Sequence, residues 1–227
     1  MGGLMNMGGK PVVAFFDMDH TIIGIDCSVS WKYFLADHGL APEDDKAKAD
    51  HYWNLYCQGK TPVDEFVKFQ YREFSGKTVD EMRSLARCHF EERIRPYIYR
   101  GAQEKIREFS RDGIPTVLVT GTNRYIAEPI AEAMGITALL PTEPEIVEGK
   151  FTGWYIPPFL LKEAKITMAE SYCRELGVHL DTASFFGDSV NDLDMLKKVG
   201  YPSVVNPGEK VLAVAEENSW PVKRWAV

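Results

Sequence analysis

The 227-residue chain is poor in several features that would have defined its class. It has only four cysteines, Cys27, Cys57, Cys88 and Cys173, with no C-x-x-C pair and no Cys/His grouping at zinc spacing. That pattern excludes a disulfide framework and a zinc module, and suits reduced thiols serving as small apolar residues. Positive charge is the scarcer sign: 26 Lys and Arg against 33 Asp and Glu leave a formal net charge of −7. Such a balance argues against nucleic acid or an anionic membrane as the main partner. It also means that an anionic substrate needs a cation placed locally. No apolar run approaches the length of a membrane span. Residues 1–10 lack the basic and apolar regions of a signal peptide, and Asn6 stands where a myristoylation motif has Ser or Thr. They read as a flexible leader. Internal repeats and low-complexity tracts are missing too. The expectation is a cytoplasmic protein with neither nucleic acid nor membrane as partner; nothing in the residues sets its oligomeric state.

What is present is an ordinary globular composition, 45% hydrophobic and 26% charged, enough for a core domain with an insertion. Val12-Val13-Ala14-Phe15-Phe16 reads as a buried strand of a parallel sheet. It runs into Asp17-Met18-Asp19-His20-Thr21, placing two carboxylates at a strand's carboxyl end. A carboxylate there is costly to desolvate without a cation or reacting group, and open α/β sheets bind ligands at this edge.

From about Gly24 to Pro96 strand signals vanish. Helices are expected over Ser30–His38 and Asp44–Gln58, after a Thr61-Pro62 start, and after the capping box Thr78-Val79-Asp80-Glu81. Residues 24–96 therefore read as a helical cap, with residues 11–23 and 97–227 as the core. From Tyr97 strand and helix alternate. Strands are expected at Ile114–Val119, Ile136–Leu140, Thr182–Phe186 and Pro202–Val205, with a hairpin over Glu145–Trp154 turning near Glu148-Gly149. Helices are expected over Ala102–Arg111, from the Thr120-Gly121-Thr122 turn to Met134, and over Glu163–Leu176, Asp192–Val199 and Lys210–Asn218. Strand alternating with helix implies an α/β fold, a doubly wound and mostly parallel sheet.

Three more strand or helix ends carry chemistry. Thr120-Gly121-Thr122 offers a hydroxyl and backbone N–H groups at the start of a helix, a natural anion site. Gly187-Asp188-Ser189-Val190-Asn191-Asp192 is a second acidic cluster. Lys165 lies in the first turn of its helix, unfavourable against the helix dipole. Each alone has a dull explanation: Thr120 as a cap, Asp188 and Asp192 as cap and solvated face, Lys165 as one of 26 basic residues. In parallel strands they meet at one edge. Carboxylates without zinc-type ligands suit a hard divalent cation such as Mg²⁺. That cation with Lys165 would neutralise a phosphoryl group. Asp17 is then free to attack phosphorus.

Asp17-Met18-Asp19-His20-Thr21, Thr120-Gly121-Thr122, Lys165 and Gly187-Asp188-Ser189-x-Asn191-Asp192 resemble the four motifs of the haloacid dehalogenase superfamily. The chain is similar to its subfamily IB, the phosphoserine phosphatase-like hydrolases, from about Pro11 onward. The resemblance implies Asp17 as nucleophile and metal ligand, and Asp19 as acid and base, binding metal through its main-chain carbonyl. It implies that Thr120 and the Gly121 N–H hold phosphoryl oxygens, with Thr21 and Thr122 beside them. Lys165 would balance charge, with Lys162 the competing lysine. Asp188 would bind Mg²⁺, Asp192 would orient a metal water or Lys165, and Asn191 would line the phosphate side.

The substrate side departs from the family. The acid nine residues after the nucleophile is Asp26, shorter than the usual glutamate. The cap arginine that grips a carboxylate falls on Gln70, with Arg72 nearby. Gln cannot form the bidentate guanidinium contact. An amine-bearing phosphomonoester such as histidinol phosphate fits Asp26 and Gln70 at least as well as phosphoserine. The expected function is Mg²⁺-dependent hydrolysis of a small phosphorylated metabolite through an aspartyl-phosphate. A phosphotransferase or phosphomutase with the same motifs, and a non-catalytic phospho-ligand binding protein, are the alternatives. A phospho-accepting receiver domain is disfavoured by the helical insertion and the early position of Asp17.

Overall fold

The computed structural model describes residues 9–227. Of the expected leader, residues 1–8 lie outside this range, while Lys10 forms an exposed ion pair with Asp112 at 2.8 Å. Among the described residues seven strands form one sheet: β1 Ala14–Phe16, β2 Thr116–Asn123, β3 Ala138–Val147, β4 Lys150–Ile156, β5 Ser184–Gly187, β6 Tyr201–Val205 and β7 Val222–Lys223. Their order is β4-β3-β2-β1-β5-β6-β7, and every pairing is parallel except β3 with β4. The expected doubly wound, mostly parallel sheet is therefore what forms.

The first apolar run belongs at the centre because both faces of β1 are covered. Ala14 and Phe16 point into one core with Leu118, Phe186 and Phe109; Val13 and Phe15 point into the other with Val117, Val119 and Phe185. Period-two alternation within an all-apolar run fills both layers at once. Among the described residues nine α-helices accompany the strands: α1 Cys27–Asp37, α2 Asp45–Cys57, α3 Val63–Tyr71, α4 Val79–His89, α5 Arg100–Arg111, α6 Arg124–Met134, α7 Glu163–Leu176, α8 Leu193–Lys198 and α9 Glu209–Glu217. The first four all lie between β1 and β2 in the chain. The backbone leaves and returns through two paired segments: Gly24 N–H donates to Tyr97 C=O at 2.8 Å and Tyr99 N–H to Ile22 C=O at 3.0 Å.

Several local expectations need correction. The strand at 136–140 and the first hairpin arm are one strand, β3, which continues past Pro141 and Pro144. The prolines are tolerated because the pairing beside them is irregular on both sides. The turn itself is as expected, with Glu148 and Gly149 both at positive φ (49° and 76°), the backbone of a tight hairpin. Thr120-Gly121-Thr122 does not open a helix. It belongs to the irregular end of β2, and α6 starts at Arg124 under Asn123, whose side chain accepts from the N–H groups of Tyr125 and Ile126. Helix α1 starts at Cys27 rather than Ser30, capped by Asp26, which accepts from Val29 N–H at 2.7 Å. The Thr78 capping box forms as read. Thr61 caps nothing, since Pro62 precedes Val63 as the cap residue. The two-residue β7 had too little pattern to be seen in the sequence.

Candidate active site

The carboxyl ends of β1, β2 and β5 converge under α2 and α3. Asp17 follows β1 directly, its N–H donating to Phe186 C=O at 2.9 Å. The chain then turns tightly: Met18 C=O accepts from the N–H groups of both Thr21 and Ile22, and His20 takes a left-handed φ of 56°. Asp17 is 3% exposed and Lys165 1%. Lys165 Nζ donates to Asp17 Oδ1 at 2.6 Å and to Asp192 Oδ1 at 2.8 Å. Asp192 Oδ2 accepts in turn from the Ser189 hydroxyl and N–H. Asp17 Oδ2 is buried without a hydrogen-bond partner. Carboxylate oxygens of Asp17, Asp188 and Asp192 lie within 4.8 Å of one another.

Asp19 is fixed from two sides. Cys27 N–H donates to Oδ1 at 2.8 Å, and the Thr122 hydroxyl donates to Oδ2 at 3.1 Å. Thr21 donates to Asp188 Oδ1 at 3.1 Å. Thr120 Oγ1 accepts from Thr122 N–H, which stabilises the irregular strand end. Two glycines permit close approach here. A Cβ on Gly121 would lie 3.1 Å from Leu160 C=O, and one on Gly187 would lie 2.9 Å from the Asp192 Cβ.

Electrostatics follow from burial and crowding. Burial pushes the Asp17 carboxyl up to about 6, against the pull of Lys165. Asp19 and Asp188 are driven well above the carboxylate range by burial and then by neighbouring carboxylates. Burial alone raises Asp26 to about 6. Burial works against the Lys165 charge, yet Asp17 and Asp192 outweigh it and hold the ammonium well above lysine's ordinary range. Three carboxylates against one ammonium form a site short of positive charge.

Above this floor lies an enclosed cavity of about 50 Å³. Asp17, Asp19, Thr120, Gly121, Thr122 and Lys165 line it from the core, and Asp26 and Gln70 from the opposite side. Gln70 is buried, donating to Ser28 C=O at 3.3 Å. Thr21, Asp188 and Asn191 do not line the cavity. Asn191 instead donates to Tyr56 C=O in the helical segment at 3.4 Å. Lys162, the competing lysine, is directed the same way, donating to Gly59 C=O at 2.9 Å. Lys165, not Lys162, meets Asp17.

Sequence reasoning did not pick out the remaining lining. Thr61, expected as a cap, puts its buried and unpartnered Oγ1 into this region. Tyr52, Trp53, Tyr56 and Phe66 line the cavity too, although aromatics at helical spacing give no local sign of whether they face a helix or a cavity. Phe159 and Leu160 come from the segment before α7, an apolar run with no period to interpret.

The haloacid dehalogenase-like hydrolase family matches residues 14–197, a span running from β1 into α8 and containing all four motifs. The chain belongs to that family. Among its relatives is a histidinol-phosphatase of Neisseria meningitidis serogroup C (strain 8013), 31% identical over 215 residues, 92% of this chain and 97% of that one. A solved protein of unknown function from Bordetella pertussis Tohama I superposes with a TM-score of 0.84 at 28% identity, covering 94% of this chain and 98% of that one. A substrate-bound phosphoserine phosphatase superposes with a TM-score of 0.69 at 18% identity, covering 95% and 93%, a likeness of fold. The resemblance read from the four motifs thus holds, and this member of the family is a hydrolase of the phosphatase kind. Among the described residues no helix is long and apolar enough to cross a membrane.

Proposed function

We propose that this chain is a Mg²⁺-dependent phosphomonoesterase working through Asp17 on a small phosphorylated metabolite in the cytoplasm. The observation that carries the reading is the state of Asp17: one oxygen is held by Lys165, the other is buried and unpaired, and the carboxylate clusters with Asp188 and Asp192. That donor set fits a hard divalent cation, which takes few carboxylate oxygens and retains waters. Asp17, Asp188 and the Asp19 main-chain carbonyl would hold it, since both Asp192 oxygens are already engaged. When bound, Mg²⁺ supplies charge neutralisation to the phosphoryl group.

The chain's own residues then divide the work. Asp17 attacks phosphorus as the bond to the leaving oxygen breaks, giving an aspartyl-phosphate. Asp19, raised by burial and neighbouring carboxylates and held in place by Cys27 and Thr122, protonates that oxygen and afterwards takes a proton from the attacking water. Water attack releases phosphate and restores Asp17. Thr120 and the Gly121 N–H hold phosphoryl oxygens while Asp192 keeps Lys165 in place. The helices of residues 24–96 serve as a cap over the core of residues 11–23 and 97–227, excluding water during the first step.

For the substrate, Lys165 is the one lysine or arginine among the described residues lining the cavity. A carboxylate on the leaving group would therefore meet no second cation, and Asp26 would repel it. An amine-bearing ester without a carboxylate, such as the histidinol phosphate implied by the Neisseria relative's name, fits better than phosphoserine. The test is phosphate release from a panel of phosphomonoesters with and without Mg²⁺, beside Asp17→Asn. Metal-dependent release of inorganic phosphate, lost in the variant, is expected. A phosphorylated acceptor in place of free phosphate would make the protein a transferase, and no turnover with an intact fold would leave a binding role.

A further inference from the structure

Asp26, Val29 and Trp53 line the inner cavity and also a second, more open groove of about 380 Å³ on their other side. The inner space of about 50 Å³ is on the scale of a few water molecules, so it accommodates a phosphoryl group and the first atoms of an ester. A larger leaving group has to extend beyond it, and the shared wall marks where the lining continues.

The groove has a definite chemistry. Trp53 rests against the His20 ring, with centroids 4.9 Å apart and planes tilted by 33°, and stacks on Tyr56 at 5.6 Å. His20 lines the groove with a buried Nε2 that has no partner. Tyr33 and Tyr97 add two more aromatic walls. Of the charged groups present, Arg93 is already paired with Asp37 at 2.9 Å and Glu92 at 2.7 Å. Asp50 receives only the neutral Tyr33 hydroxyl at 3.0 Å, and Asp26 accepts from Val29 N–H. The uncommitted charge is thus negative, and it is set among aromatic faces. Such a surface recognises a flat cation, by stacking and by cation–π attraction.

We propose that this groove is the second half of the substrate site, receiving a flat, positively charged nitrogen ring of the leaving group, with Trp53 as the specificity-determining residue. This rests on the phosphomonoesterase reading. The amine near the ester would sit at Asp26, and the ring would lie beyond it along Trp53.

The experiment compares kcat/KM for histidinol phosphate, which carries an amine and an imidazole, with that for ethanolamine phosphate, which carries the amine alone. Wild type is expected to favour the ring-bearing ester by about tenfold or more. Trp53→Leu is expected to collapse that ratio by about tenfold, mainly through KM, while Trp53→Phe retains it within about threefold. Asp50→Asn, outside the inner cavity, is expected to raise KM for the ring-bearing ester alone. A wild type indifferent to the ring, or a Trp53→Leu variant in which both esters suffer equally, overturns the proposal. Should wild type hydrolyse neither ester, the phosphomonoesterase reading fails by itself. Calorimetry with the free alcohol histidinol still decides the groove: binding abolished by Trp53→Leu supports it, and binding that is absent or unchanged overturns it.

Discussion

Two buried charge clusters, one among the helices between β1 and β2 and one at the carboxyl ends of the strands, differ in their balance. In the helical segment, Lys32 is fully buried against Glu73, 3.8 Å from Asp45, with its ammonium 4.2 Å from the Phe69 ring centre. Arg72 bonds Asp45 and Glu73 as well. The exposed Lys48 adds a third cation at 3.3 Å from Asp45, so both buried carboxylates are paired. In the core, Lys165 faces Asp17, Asp188 and Asp192, and Asp17 Oδ2 has no partner. Buried charge that closes on itself ties α1, α2 and α3 together. Buried charge left open reserves a place for something that comes from outside.

That contrast can be broken from either side. The largest effect belongs to Asp17→Asn, expected to reduce phosphate release by on the order of 10⁴-fold or more. Thermal unfolding should show little loss of stability, because the variant relieves carboxylate crowding. A drop in activity accompanied by collapse of the fold would contradict the distinction. Lys32→Met should behave oppositely. It leaves Glu73 and Asp45 short of a cation in a buried site and is expected to cost about 3–5 kcal/mol in denaturant unfolding. In the surviving folded protein, turnover should change only a few-fold.

His89 shows a third arrangement, a buried group kept neutral. It lies 3.0 Å from the Ser30 hydroxyl, and burial lowers its pKa to about 3. The folded value lies below the unfolded one, so the unfolded chain binds the extra proton as pH falls from about 6.5 to 3. Stability is therefore intact above pH 6.5 and declines through that window, by a few kcal/mol for this group at about 1.4 kcal/mol per pH unit. His89→Gln should flatten the slope of unfolding free energy against pH between 6.5 and 3, measured by denaturant titration. An unchanged slope would assign the acid loss to the carboxylates. Smallest is the response to metal. Mg²⁺ at 100 times its dissociation constant is expected to stabilise wild type by about 2.7 kcal/mol. Asp188→Asn should lose that gain and Lys32→Met should keep it, as read by thermal shift with and without chelator.

The residues alone were informative where a physical rule is local. A five-residue apolar run with two β-branched and two aromatic residues reads as a doubly buried strand, and two carboxylates at its end read as a cap, an acidic loop or a site. Motif order, the capping box at Thr78 and the hairpin at Glu148-Gly149 depend on neighbours in the chain, and these were legible. Lys165, a cation in a first helical turn where the helix dipole disfavours it, signals an anionic partner, and that partner is Asp17.

What tertiary structure alone decided depends on contacts far apart in the chain. Whether Asp192 holds Lys165, or Asn191 reaches Tyr56, is set by how β5, α7 and the helices between β1 and β2 come together. The Thr120-Gly121-Thr122 turn expected to lead into a helix is strand instead, because β3 pairs with β2 up to Asn123, and the helix follows from Arg124. Thr61 read as a cap and Trp53 carried no signal of its own, since period and propensity cannot tell an aromatic or hydroxyl facing a partner helix from one facing a cavity. The chemistry of this protein is written in its motifs. The shape of what it accepts is decided where helices from one part of the chain close over strands from another.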